Sequence, residues 1–288
     1  MKNSNSKKVI LIFLFFFSVF QVQATQISSK FNHSCATDNK VVKCWGGDNA
    51  YGQLDVPYLK NPTFVSAGFK HTCAIANNKV RCWGSNEYGE STPPRLYNPR
   101  YVSAGGAHTC AIDDRGIICW GDNTYGQTNV PVLNNPQTLR AGSDFSCAVD
   151  DGRIKCWGLK PWSSESLDYF SAVNAFVGGQ GSVVALSEDS YDFWSPTTNL
   201  PFPKPEFITH KNLKQFALGF AHFCMIDDSG LRCFGDNFAG QIDIPAHLKN
   251  VQDVAAGRLH TCAVTGKKVV CWGDNSDGQL DVPRYFSR

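Results

Sequence analysis

Short apolar segments separated by turn residues recur along the whole chain. One unit, CAIDDRGIICWGDNTYGQTNVP, runs from Cys110 to Pro131, and close variants of it occur six more times. Each unit contains pieces such as VSAG, HTCAI and VRCW, which are rich in apolar and β-branched residues and are interrupted by Gly, Asn, Asp and Pro. This pattern predicts strands joined by tight turns, and no segment has sustained helical periodicity.

Paired cysteines define the repeat. In six units two cysteines lie nine positions apart, and the first members are Cys35, Cys73, Cys110, Cys147, Cys224 and Cys262. In the remaining unit, Val184 and Phe193 take the two cysteine positions, and Trp194 keeps the place of the tryptophan. The seven units are therefore spaced by 37 to 40 residues. A period of this length is typical of solenoids, propellers and arrays.

The predicted fold class is all-β, a seven-bladed β-propeller formed by residues 25–288 as a single domain. Three or four short strands per unit and no helix fit a closed ring, and seven blades fall within the usual range for propellers. An open solenoid is the alternative. Ring closure explains why neither terminal repeat carries a polar capping extension.

The first 24 residues have the layout of a secretory signal peptide. Lys2, Lys7 and Lys8 precede an apolar run from Val9 to Phe20, and small residues before position 25 predict cleavage after Ala24. The run is too short for a membrane-spanning helix, and no later stretch is long enough. We therefore expect a secreted or periplasmic protein with no membrane span after cleavage.

The charge of the chain argues against nucleic acid as a partner. Cleavage removes three lysines and no acidic residue, so the formal net charge of +2 becomes −1. A nucleic-acid or anionic-membrane surface would need a basic stripe. We expect a monomer with no such partner.

The spacing of the cysteines predicts one disulfide within each of six blades. If the hairpin turns midway between the two cysteines, Cys110 lies opposite Cys119 at a non-hydrogen-bonded pair, where side chains approach closest. Export, an even count and the joint loss of both cysteines in the fifth unit support this pairing. The predicted disulfides are Cys35–Cys44, Cys73–Cys82, Cys110–Cys119, Cys147–Cys156, Cys224–Cys233 and Cys262–Cys271.

Zinc binding is the rival interpretation of these cysteines. A histidine lies two residues before the first cysteine in five units, as in His108 before Cys110, and His-x-Cys with a second Cys supplies three zinc ligands. However, the fourth unit keeps Cys147 and Cys156 although Phe145 replaces the histidine. We therefore expect a structural histidine bonded to neighbouring backbone, and no metal or cofactor.

The repeat resembles that of the regulator of chromosome condensation superfamily. Gly followed two residues later by His-Thr-x-Ala-Ile, and then Trp-Gly-x-Asn-x-Tyr-Gly-Gln, carry the resemblance, best seen in AGFKHTCAIANNKVRCWGSNEYGE. It extends over 27–283, and the short period is similar to that of a compact bacterial branch, which includes a secreted seven-bladed β-lactamase inhibitor. The resemblance implies a seven-bladed propeller whose loops bind proteins. No residue specifies β-lactamase inhibition, and the nucleotide exchange of the founding member does not carry over.

Candidate binding residues lie where the repeats differ. The position before Gly-Gln holds Tyr51, Tyr88, Tyr125 and Trp162 in the first four units, and four consecutive aromatic residues would form an arc on one face of a ring. Tyr and Trp are common in protein interfaces. The alternative is that these rings pack beneath a loop. By contrast, the tryptophan after each second cysteine keeps one place, which predicts packing between blades.

Two irregular segments form a second candidate region, because loops carry function more often than scaffolds do. The segments are 159–170 and 195–207, and their aromatic residues are Tyr169, Phe170 and Phe202. Degeneration of the repeat by drift is the alternative explanation.

No nucleophile elbow, metalloprotease motif or phosphate-binding loop is present in the sequence. We therefore predict a non-enzymatic protein-binding module, including an inhibitor of its partner protein. A carbohydrate- or surface-binding adhesin is the first alternative, and an enzyme that uses one propeller face is the second.

Overall fold

The chain forms a ring of seven small sheets. The computed structural model describes residues 25–159, the strand backbones 175–178, 183–186 and 191–194, and residues 212–288. Consecutive strands of one repeat form each three-stranded antiparallel sheet, and there are seven such sheets. The all-β, seven-bladed propeller is confirmed. The predicted signal peptide, 1–24, lies outside the described residues.

The first strand of each blade lines the central channel. These strands are β1 (Gln26–Lys30), β4 (Pro62–Ala67), β7 (Tyr101–Ala104), β10 (Pro136–Ala141), β13 (Ala175–Gly178), β16 (Gln215–Leu218) and β19 (Val251–Ala256). Each of them contacts the first strand of the next blade, and β19 contacts β1. The ring is therefore closed, and the open solenoid is excluded.

The second strand is central in every sheet, and the third strand is outermost. The second strands are β2 (His33–Thr37), β5 (His71–Ala76), β8 (His108–Asp113), β11 (Phe145–Asp150), β14 (Val183–Leu186), β17 (His222–Asp227) and β20 (His260–Thr265). The third strands are β3 (Val42–Trp45), β6 (Lys79–Gly84), β9 (Gly116–Gly121), β12 (Arg153–Gly158), β15 (Tyr191–Trp194), β18 (Gly230–Gly235) and β21 (Lys268–Gly273). Second strands whose burial is described are buried along nearly their whole length, because a blade packs on each face.

The six predicted disulfides are all present, and they use all twelve cysteines. Cys110 is directly opposite Cys119, and the outward count from the turn holds at every pair of that hairpin. Their Cα atoms are 4.0 Å apart, which fits a non-hydrogen-bonded pair. In the fifth blade Val184 is opposite Phe193, in the place of a disulfide. The zinc interpretation is excluded, since no thiolate remains, and six disulfides are typical of an oxidising compartment.

Blades pack against each other through side chains that the repeat places on both faces of each sheet. One buried cluster joins Cys35 and Val42 of the first blade to Val65, Ala74 and Trp83 of the second. This confirms the predicted packing of the tryptophan between blades. In the part of the chain that the structure describes, no helix is long and apolar enough to cross a bilayer.

A short C-terminal helix, α1 (Arg284–Ser287), spans the junction between the last and first blades. Phe286 is fully buried in a cluster that contains Ile27 and Trp45 of the first blade. The neighbouring Tyr285 donates a hydrogen bond to Asp38 Oδ2 at 2.6 Å, in the hairpin turn of the first blade. The C-terminal segment therefore packs across the junction at which the ring closes.

Candidate functional site

Five loops with one shared conformation project from one face of the ring. We call them the motif loops; they follow the third strand of their blades, and they are 48–55, 85–92, 122–129, 236–243 and 274–281. Because the third strand runs parallel to the first, these loops lie on the same face as the turns that follow the first strands. This face is the motif-loop face.

Hydrogen bonds within each motif loop fix its shape. In the third blade Asn123 Oδ1 accepts the N–H of Thr128 at 3.0 Å, and the Gln127 side chain accepts the N–H of Tyr125 at 2.9 Å. The other four loops repeat both contacts, with Glu90 in place of glutamine in the second blade. Such an Asx-type arrangement holds the backbone, so the side chain at position 125 points outward.

Each motif loop is anchored to the next blade by a buried carbonyl. The carbonyl oxygen of Gln127 accepts hydrogen bonds from Trp157 Nε1 at 2.9 Å and from Ser146 Oγ at 3.0 Å, both in the fourth blade. Gln53, Glu90 and Gln241 accept the equivalent pair of hydrogen bonds from their next blades. The loops are therefore part of the rigid scaffold, and their exposed side chains need little ordering on binding.

The histidines that lie two residues before the first cysteine in five blades are part of this anchor. His71 Nε2 lies 2.9 Å from Thr109 Oγ1 of the next blade, and that hydroxyl donates its proton to Glu90 O. His71 Nε2 must therefore carry a proton and donate it to the hydroxyl. The expected structural role is correct, but the expected backbone partner is wrong, because a hydroxyl lies between the imidazole and the carbonyl.

Burial keeps these imidazoles neutral. Burial lowers the pKa of His71 and His108 to about 3, and the pKa of His33 and His222 to about 4. Burial likewise lowers the pKa of His260 to about 3. A charged imidazole at these positions would lose its hydration, and the ion pairs of the described residues include none of these histidines. The histidines are structural groups, not acid–base groups, at neutral pH.

The predicted aromatic positions are exposed. The fractional exposures of Tyr51, Tyr88 and Tyr125 are 39%, 57% and 52%, so these rings do not pack beneath a loop. The Tyr51 hydroxyl accepts a hydrogen bond from Lys70 Nζ at 2.8 Å, which joins its motif loop to the turn of the next blade. Trp162, Tyr169, Phe170 and Phe202 lie outside the described residues.

The sequence did not predict the exposure of Phe238 on a motif loop. Phe238 is 90% exposed on the motif loop of the sixth blade, one residue before the position that holds tyrosine in the first three blades. When the repeats are aligned, Ala239 falls at the tyrosine position and Phe238 does not, so the alignment does not single out Phe238. Phe238 stands at the position of Thr124, where the other described loops have a polar or small residue. This difference in the sequence could have identified it.

Comparison with known proteins agrees with the repeat and the fold. Three segments match the model of the regulator of chromosome condensation (RCC1) repeat, namely 63–90, 100–127 and 251–279. These segments of the chain are therefore similar to the RCC1 repeat. A comparison with curated protein sequences finds no match.

Several solved structures share this propeller fold. The ectodomain of the receptor kinase ACR4 from Arabidopsis thaliana has a TM-score of 0.68 and 24% identity, and the match covers 90% of this chain and 97% of that one. Human WBSCR16 has a TM-score of 0.67 and 15% identity, over 85% and 88% of the two chains. Yeast RCC1 (Prp20), solved with Kap60, has a TM-score of 0.52 and 15% identity, over 91% and 72%. At these identities the likeness concerns the fold alone.

Proposed function

We propose that this RCC1-like chain is a secreted or periplasmic protein-binding module that uses its motif-loop face. The observation that carries the proposal is the exposure of Tyr51, Tyr88, Tyr125 and Phe238 on loops that the scaffold holds rigid. Aromatic side chains on rigid loops provide contact area at low entropic cost, which is the character of interface hot spots. The fold supports this use, since a related propeller, yeast RCC1 (Prp20), is solved bound to another protein, Kap60.

The proposal includes inhibition of the bound partner and assigns no reaction to the chain. A rigid ring that lies over a partner's active site blocks access of its substrate. Among the residues that the structure describes, no group of three His, Cys, Asp or Glu side chains is placed to hold a metal ion.

Site-specific photo-crosslinking tests the binding face. A photoreactive phenylalanine at position 88 should crosslink a discrete partner from envelope extract or culture supernatant. The matched control carries the same residue at position 58, because Tyr58 is 93% exposed but lies outside the motif loops. Equal crosslinking at both positions contradicts the proposed face. Changing Tyr51, Tyr88 and Tyr125 together to Ser should abolish capture while all six disulfides remain.

Carbohydrate binding would use the same exposed rings, so it must be distinguished from protein binding by a second experiment. A glycan array probed with the wild-type chain and with the triple serine variant distinguishes the two. Glycan binding that the variant loses, without any crosslinked protein, replaces the protein-binding proposal with the adhesin.

Export is tested on the full chain. Expression with residues 1–24 should deliver to the periplasm or medium a chain that begins at Thr25 by intact mass. Recovery of the uncleaved chain from the cytoplasm contradicts this part of the proposal.

A further inference from the structure

The central channel contains a buried cation, Lys30, which lies outside the motif loops. The described lining of the channel comes from the first strands of six blades and surrounds a cavity of about 240 Å³. Lys30 is buried in this lining. Its ammonium donates hydrogen bonds to the carbonyl oxygens of Ala104, at 2.9 Å, and Ala141, at 2.5 Å. One side chain of the first blade thus reaches the third and fourth blades.

Lys30 departs from the repeat at a position that is otherwise glycine. The other six units have Gly68, Gly105, Gly142, Gly179, Gly219 and Gly257. In the third blade a Cβ at Gly105 would lie 2.5 Å from the ring of His108, which explains the glycine there. A lysine at this position is therefore not a requirement of the blade.

Arg140 is a second departure that faces the same cavity. The equivalent residues of the first three blades are Ser28, Ser66 and Ser103. Arg140 Nη1 donates to the Tyr101 hydroxyl and to Leu139 O, and its other N–H groups have no acceptor among the described residues. A guanidinium with free donors is suited to bind an oxyanion in two places at once.

The two cations lack a counter-charge. Burial, and then repulsion by Arg140, lower the pKa of Lys30 to about 7. Neither side chain forms an ion pair with a carboxylate in the described part of the chain. Asp253 also lines the cavity, but its oxygens accept the N–H groups of Ile27 and Val254 and the amide of Gln215. An anion beside Lys30 and Arg140 would relieve their repulsion and replace the hydration that burial removes.

We infer that the channel binds a small oxyanion, a carboxylate or a phosphate, between the Lys30 ammonium and the Arg140 guanidinium. The cavity is many times larger than a single water molecule needs. Solvent reaches it, since Arg140, Gln26 and Ser29 of the lining are partly exposed. The described lining includes no residue of the motif loops.

Thermal unfolding at constant ionic strength tests this inference. Inorganic phosphate or acetate should raise the Tm of the oxidised chain above its value in chloride. The larger of the two increases shows whether the site prefers a phosphate or a carboxylate. The matched variants are Lys30→Gly and Arg140→Ser, which restore residues that other repeats carry at the same positions. Each should weaken binding by roughly tenfold or more, since each removes a charge-assisted contact. If neither anion exceeds chloride, or if both variants respond like the wild type, the inference is wrong.

Proton uptake separates anion binding from a structural role of Lys30. Near pH 7 the Lys30 amine is partly protonated in the free chain, because burial lowers its pKa to about 7. Bound anion favours the charged form, so binding should take up protons near this pH. Calorimetric titration in two buffers of different ionisation enthalpy measures this uptake. Lys30→Gly should lower it, while Asp253, whose pKa burial raises to about 6, can still take up a proton. Uptake that is unchanged in Lys30→Gly would contradict the role of Lys30.

Discussion

His260 Nε2 lies 2.9 Å from Ser34 Oγ, so the last blade is bonded to the first by the contact that joins blades within the chain. The same pair recurs as His33 with Thr72 and as His222 with Thr261, at 3.0 and 2.9 Å. Ring closure therefore needs no exchanged strand. It repeats two contacts of an internal junction, the histidine–hydroxyl pair and the hydrogen bond from Trp45 Nε1 to Gln279 O, and helix α1 supplements them.

The hydroxyl between imidazole and carbonyl should be needed for stability. Thr109→Val keeps the shape of the side chain but leaves His71 Nε2 without its partner, while Glu90 O keeps the hydrogen bond from Trp120 Nε1. We expect the free energy of unfolding to fall by about 1–3 kcal/mol, the usual penalty for one unsatisfied buried group. Urea titration measures it. Thr109→Ser is the control, because Ser146 fills this role in the fourth blade, and an equal loss in both variants would count against the hydrogen bonds.

The buried histidines should make the protein acid-sensitive. Their pKa values are lowered to about 3 or 4, so the unfolded chain binds more protons below about pH 6.5, and stability falls as the pH decreases. His108→Phe copies Phe145 of the fourth blade and removes one such group. Between about pH 7.5 and about pH 5, the variant should lose about 2 kcal/mol less stability than the wild type.

Urea titrations at the two pH values measure this difference. Replacement of the exposed His247 by Asn is the control, since it removes a histidine from the surface and not from the core. A His108→Phe variant with the wild-type pH dependence would show that other groups cause the loss in acid.

The disulfides should each stabilise one blade without being required for its shape. Changing Cys110 to Val and Cys119 to Phe reproduces the pair Val184 and Phe193 of the fifth blade. We expect a loss of roughly 2–3 kcal/mol in the oxidised state, the value for closing a loop of about ten residues. Urea titration measures the loss, and intact mass after reduction should show five bonds where the wild type has six. A variant that is not folded would mean that the third blade needs its bond.

The C-terminal contact should hold the ring junction. Phe286→Ala removes a fully buried ring and should cost about 3–5 kcal/mol. Tyr285→Phe removes only the hydrogen bond to Asp38 and should cost about 1 kcal/mol. Hydrogen exchange should become faster in β1 and β21 of the Phe286 variant and stay unchanged in β5. A uniform acceleration would mean that the helix does not act on the junction in particular.

The hairpin register could be predicted from the sequence because it is local. The nine-residue spacing of Cys110 and Cys119 and a two-residue turn leave one alignment of the two strands. The packing of the tryptophan between blades could also be predicted, because a large apolar residue at the same place in successive repeats is expected at each junction between blades. Exposure of Tyr51, Tyr88 and Tyr125 did not follow, because a tyrosine before Gly-Gln fits both a loop surface and a buried ring.

The sequence by itself determined the number of blades, because the repeat can be counted along the chain. It also determined the disulfides, because each joins two cysteines nine positions apart within one hairpin. The tertiary structure alone decided what joins the blades and what fills the channel. His33 finds its hydroxyl partner 39 residues away, and Lys30 reaches a carbonyl 111 residues away. Those partners become neighbours only when the ring closes, because the path of the whole ring, and not the pattern of one repeat, sets their distance.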